Sequence, residues 1–136
     1  MTERIVAIFW ILVLMPACDE ECGSDTNKIL EIRNNSDRRI FYQIYWNYPD
    51  TLLGEFNPYT SNDYAVSPMS SQFRSLGRSC WEEFFETKEK EWVYFFSEDT
   101  LRAHTWEEIQ LDYKILSRKE ISLDFLRSSG WKIDYP

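Results

Sequence analysis

The sequence predicts an α+β protein, mainly antiparallel β-sheet arranged like a sandwich, with two or three short helices in its C-terminal half. Three observations predict it. Apolar residues alternate with period two between Leu30 and Trp46, "EWVYFFS" (Glu91 to Ser97) is an unbroken aromatic and β-branched run of strand length, and polar cap residues open short helical segments after it. Composition agrees: 43% apolar and 17% aromatic residues in 136 give enough large side chains for one packed core. With 6 Trp, 8 Tyr and 9 Phe against 4 Gly, that core is built from rings, which suit pleated surfaces.

Taken in order, Leu30 and Ile32 alternate with Glu31 and Arg33 ahead of the turn "NNSD". Ile40, Tyr42, Ile44 and Trp46 then alternate with Arg39, Phe41, Gln43 and Tyr45. The pair reads as a β-hairpin. Its second strand carries rings on both faces, so one face meets the core and the other meets a second layer or forms an exposed aromatic patch. Asn47 to Pro68, rich in Pro, Asn, Asp and Tyr, predicts loop or irregular edge. Ser79-Cys80-Trp81-Glu82 has capping-box spacing for a short helix through Phe85, with a strand over Trp81 to Glu86 as the alternative.

"EWVYFFS" predicts a central strand buried on both sides. A helical turn over Asp99 to Ala103 and a second helix opened by a Thr105–Glu108 box follow. "KILSRKEISL" returns to strand, "SLDFLRSSG" is a short helix with Ser122 as cap and Gly130 as stop, and "WKIDYP" closes as a last strand.

The N-terminus predicts a location. "IVAIFWILVLM", Ile5 to Met15, is an apolar run of 11 residues preceded by Arg4. It is too short to span a bilayer core, which takes roughly 20 residues, and fits the apolar region of a secretory signal. Cutting before Cys18 puts Ala17 at −1 but bulky Met15 at −3, which ordinary signal cleavage disfavours. Leu14-Met15-Pro16-Ala17-Cys18 resembles the bacterial lipobox. That resemblance implies residues 1–17 as signal peptide, a diacylglycerol and further acyl (palmitate-type) chains on Cys18, and residues 18–27 as an acidic tether ahead of one domain over 28–136. Asp19, Glu20 and Glu21 behind Cys18 are similar to the surface-export signal of Bacteroidetes lipoproteins. The location implied is the cell envelope, lipid-anchored, on a periplasmic or a surface face.

Three cysteines in an exported chain leave an odd one, and lipidating Cys18 leaves two. Cys22 either pairs with Cys80 or stays free in the tether. A metal site from Cys18, Cys22, Cys80 and His104 lacks a zinc-ligand pattern, so no metal and no cofactor are expected.

The order of an aromatic strand (Trp92 to Phe96), an acidic Trp-containing turn (Trp106 to Ile109), "Y-x-I-L-x-R" (Tyr113 to Arg118) and "W-x-I-x-Y-P" (Trp131 to Pro136) resembles small lipoproteins of gut Bacteroidetes. The resemblance covers the C-terminal third and, less fully, Tyr48 to Leu53. It implies packing roles for Trp106 and Trp131, and no activity.

The net charge is −8, and Glu3 and Arg4 of the leader cancel, so the acidity belongs to the body. Such a surface disfavours nucleic acid and attracts cationic partners. The single His104 sits in no nucleophile elbow, and 23 acidic residues single out no catalytic pair, so a carboxylate-based hydrolase ranks behind a non-catalytic role. The leading expectation is a tethered binding or accessory module. In it Tyr45, Tyr48, Tyr59 and Tyr64 stack on a glycan or peptide, and Asp50 and Asn57 supply hydrogen bonds. The alternative is an inhibitor- or immunity-like partner of a cationic protein, with an acidic patch at Glu82, Glu83, Glu86, Glu89 and Glu91.

Overall fold

The computed structural model describes residues 29–76 and 80–136. The signal, lipobox and tether readings, including Cys18 and Cys22, lie outside the described residues, as does Ser79. Among the described residues no helix is long and apolar enough to cross a membrane.

The described strands form two sheets. Strand β1 (Ile29–Asn34) lies between β4 (Ser70–Ser75), antiparallel, and β7 (Lys132–Tyr135), parallel. The other sheet runs in the order β3 (Ala65–Val66), β2 (Ile40–Tyr45), β5 (Lys90–Ser97), β6 (Ser117–Ser122), all antiparallel. The mixed α+β class and its sheet-dominated character are as the sequence predicts. The aromatic run is the central strand β5, buried from Val93 to Phe96.

The expected hairpin does not form: β1 and β2 belong to different sheets. The link between them is held by Asn34, whose side-chain amide donates to the carbonyls of Arg38 (2.7 Å), Val66 (3.1 Å) and Ser67 (3.2 Å). Its Oδ1 accepts from the Ser36 amide at 3.0 Å. These bonds satisfy backbone groups where the chain leaves one sheet for the other, so the turn works as an arch. Alternation is kept, and Leu30 and Ile32 meet Ile40, Tyr42, Val93, Phe95 and Ile121 in one core between the sheets.

Four short α-helices and two 3-10 turns, Pro58–Thr60 and Asn62–Tyr64, complete the described structure. Helix α1 (Trp81–Thr87) begins at Cys80 without a side-chain cap, one position later than the Ser79 box places it, and the strand alternative for this stretch is excluded. Its Trp81 and Phe85, with Leu126 of α4 (Leu123–Ser128), add to the core between the sheets.

On the outer face of the four-stranded sheet, Phe41, Tyr94 and Phe96 pack against Leu53, Leu101 of α2 (Glu98–Ala103) and Ile109 of α3 (Trp106–Asp112). Rings on both faces of β2 are therefore buried in two layers. Capping follows the sequence: Thr105 and Glu108 form the full box, and Ser122 Oγ accepts from the Phe125 amide. Gly130 takes φ +66°, and the Trp131 amide then closes on Leu126 O at 2.7 Å.

Candidate functional site

β3 is two residues long and pairs only with Ile40 and Phe41 of β2. Past Phe41 the same edge opens into a cleft of about 220 Å³. The consecutive residues Tyr42 to Trp46 line it, together with Gly54, Phe56, Tyr64 and Arg74. Two of the rings are solvent-accessible, Trp46 at 36% and Phe56 at 44%.

The far side of the cleft is held by Gln43, a buried amide whose Nε2 donates to Phe56 O at 2.6 Å and whose Oε1 accepts from the Gly54 amide at 3.2 Å. From α3, Trp106 Nε1 (3.0 Å) and Gln110 Nε2 (2.9 Å) donate to Gly54 O. The segment thus fastened presents Phe56 to Tyr64, with ring centroids 4.8 Å apart. Tyr64 in turn packs on Tyr42 at 5.8 Å. Burial pushes the Tyr42 hydroxyl up to about 12, and it donates to Asp63 O at 3.3 Å. Arg74 comes from β4: its guanidinium lies 5.1 Å from the Tyr64 ring centroid and donates to the Tyr64 hydroxyl at 3.4 Å. It is the charged residue of the lining, which holds no carboxylate.

Of the residues singled out from the sequence, Tyr45 and Tyr64 meet in this cleft. The others do not line it. Tyr48 packs on Trp92 at 5.3 Å, and Tyr59 sets its ring against Phe41 at 5.2 Å. Asp50 Oδ1 accepts from the Leu52 amide and Asn57 Oδ1 from the Tyr59 amide, so both stabilise turns. Sequence reasoning did not assign Trp46, Phe56, Gln43 or Arg74 to the site. Trp46 ends the β2 alternation and was the one detectable from pattern. Arg74 lies in the polar stretch "SSQFRS", which carries no strong strand signal.

The acidic run divides. Glu83, Glu86 and Glu89 are exposed and Glu82 is half-buried, whereas Glu91 is 1% exposed and leaves the expected patch. It lies on the core side of β5, where burial raises its carboxyl above the usual range against the pull of Lys88 Nζ, 3.3 Å from Oε1. Lys88 also donates to Trp46 O at 2.9 Å, so this pair ties the end of β2 to the start of β5. Glu91 does not line the cleft.

His104 caps the end of α2, with Nδ1 3.8 Å from Glu108 Oε2. Cys80 is disulfide-bonded, its partner lying outside the described residues, which removes its thiol from the alternative metal set. Among the described residues no group of three or more His, Cys, Asp or Glu is placed to hold a metal ion. No protein-family model, curated protein or solved structure matches the chain.

Proposed function

We propose that this protein is a non-catalytic binding module of the bacterial cell envelope, carried on a lipid at Cys18, that recognises a glycan or peptide with the aromatic cleft beside β2. One observation carries the reading: Tyr45, Trp46, Phe56 and Tyr64 converge on an open cleft whose polar groups are few and fixed. Exposed rings on a rigid edge offer stacking surface at little entropic cost, the usual composition of a recognition site. With Cys18 lipidated, Cys22 is the cysteine left for Cys80, and the bridge fastens the tether to the start of α1.

Two measurements test this. Cys18→Ala should abolish acyl labelling and release the protein from membranes; unchanged partitioning refutes the anchor. Screening the full chain against a glycan array and a peptide library, with tryptophan fluorescence as readout, should give a ligand whose binding is lost in Trp46→Ala and Tyr64→Ala. A ligand indifferent to both substitutions moves the site elsewhere. If it is a cationic protein released by salt, the exposed Glu83, Glu86 and Glu89 become the surface to mutate.

A further inference from the structure

The class of ligand follows from which polar groups of the cleft are already engaged. Gln43 serves the Phe56 carbonyl and the Gly54 amide, the Tyr42 hydroxyl serves Asp63 O, and the Trp46 carbonyl accepts from Lys88. Tyr42 and Gln43 are buried. What meets an incoming molecule is therefore the exposed rings of Trp46 and Phe56, the half-buried rings of Tyr45 and Tyr64, and Arg74.

The half-buried Arg74 has its guanidinium over Tyr64, 5.1 Å from the ring centroid, and donates to the Tyr64 hydroxyl at 3.4 Å. Among the described residues no carboxylate stands within ion-pairing distance of it, and none lines the cleft. A guanidinium carries several N–H donors in a planar fork that matches a carboxylate, and one contact to a phenol leaves most of them for a ligand. The net charge of −8 repels anions at long range, but that field is screened within about 8 Å at physiological salt, so the local pair with Arg74 decides.

A peptide brings an amide and a carbonyl with every residue, and each one left against rings without a partner costs about 1–3 kcal/mol. A sugar residue lays a C–H face on a ring and keeps its hydroxyls at the rim, in water. The cleft of about 220 Å³ is smaller than the roughly 300–1,000 Å³ that encloses a drug-sized ligand, so it holds one such residue while the rest of the chain leaves through the open side. Resting on the binding-module reading above, we infer that the cleft takes an acidic glycan, one uronate-type residue at a time, with the sugar ring on Trp46 and Phe56 and its carboxylate on Arg74. Tyr64 holds the guanidinium in place.

The test titrates the full chain with uronic-acid oligosaccharides and with the same oligosaccharides after carboxyl reduction, read by tryptophan fluorescence, with sulfated and neutral oligosaccharides and acidic peptides in parallel. The uronates should bind. Carboxyl reduction or Arg74→Gln should each weaken binding by about tenfold to a hundredfold, and Arg74→Lys by less. The two losses should not add: the reduced oligosaccharide should bind the parent chain and Arg74→Gln alike, which a purely structural role of Arg74 would not produce. Circular dichroism and the thermal transition establish that each variant is folded; where Arg74→Gln is not, acid against reduced sugar on the parent chain decides. Equal binding of the two sugars, undiminished uronate binding to a folded Arg74→Gln, or binding of sulfated sugars in place of uronates overturns the acidic-sugar proposal. A neutral glycan or a peptide that binds where the uronates fail, and needs Trp46 and Tyr64, overturns it too, yet leaves the binding-module reading standing. Binding of neither glycan nor peptide overturns both.

Discussion

Gly54 lies against the ring of Tyr45 so closely that a Cβ at position 54 would stand 2.6 Å from Tyr45 Cδ2 and 2.8 Å from Cε2. Glycine is required here for close approach and not for a special backbone angle. The contact lets the Gly54 amide reach Gln43 while its carbonyl receives Trp106 and Gln110. Gly54→Ala must push the ring or the loop aside, and overpacking of this kind costs about 1–3 kcal/mol. Chemical denaturation should show that loss. Binding at the cleft should weaken as well, because Tyr45 and Phe56 no longer keep their places.

Asn34 predicts a larger effect from a single side chain. Its fully buried amide serves three carbonyls, of which the bond to Val66 O is itself buried. Asn34→Ala takes this donor from the buried Val66 carbonyl, while Arg38 O keeps the Ser36 hydroxyl, and should cost about 3 kcal/mol, at the upper end for buried unsatisfied groups. Faster amide exchange in β3 and in the 34–38 turn is the local signature, since Asn34 ties Val66 of β3 to that turn.

Two carboxylates predict opposite pH dependences. Burial raises the Glu91 carboxyl above the ordinary glutamate value of 4.5, so the folded state holds that proton more tightly than the unfolded chain. Its favourable contribution is complete below the unfolded value and is lost as pH rises through the folded one. Glu31 is held below 4.5, chiefly by the hydrogen bond from Ser71 Oγ at 2.6 Å. It stabilises the fold above the ordinary value, and that gain is lost as pH falls through the lowered one. Against the parent chain, Glu91→Gln should therefore gain relative stability from pH 4 to pH 7 and Glu31→Gln should lose it, as urea titrations at both pH values would show. Slopes of equal sign would contradict the assignment.

Thr105→Ala should cost about 1 kcal/mol by removing the acceptor for the Glu108 amide at the start of α3. The Glu108 carboxyl is held low first by the backbone amide at position 105, which alanine keeps, and then by the Thr105 hydroxyl, so it should rise only part of the way toward the usual carboxylate range. Thermal unfolding measures the first effect and NMR titration the second. Because α3 carries Trp106 and Gln110, the same substitution should loosen Gly54 and lower affinity at the cleft.

The chain by itself determined what depends on neighbours in sequence. Period-two alternation located β1 and β2, the aromatic run located β5, the Thr105–Glu108 spacing opened α3, and Ser122 and Gly130 bracketed α4, because caps and pleats act within a few residues. The tertiary structure decided the partners. Alternation records which face of a strand is buried but not which strand lies beside it, so the hairpin expected of β1 and β2 gave way to an arch once β4, β7 and β5 competed for their edges. β4 carried too little apolar signal to be seen, and with it Arg74 was missed, although that residue supplies the charge of the cleft. Tyr45 and Tyr64 were legible as candidate rings; that they meet, while Tyr48 and Tyr59 pack elsewhere, depends on where Gln43 and α3 fasten residues 54–56. Glu91 read as surface because it stands in a run of charges, and only the placement of β5 between two sheet neighbours turned it toward the core, where Lys88 shares its burial.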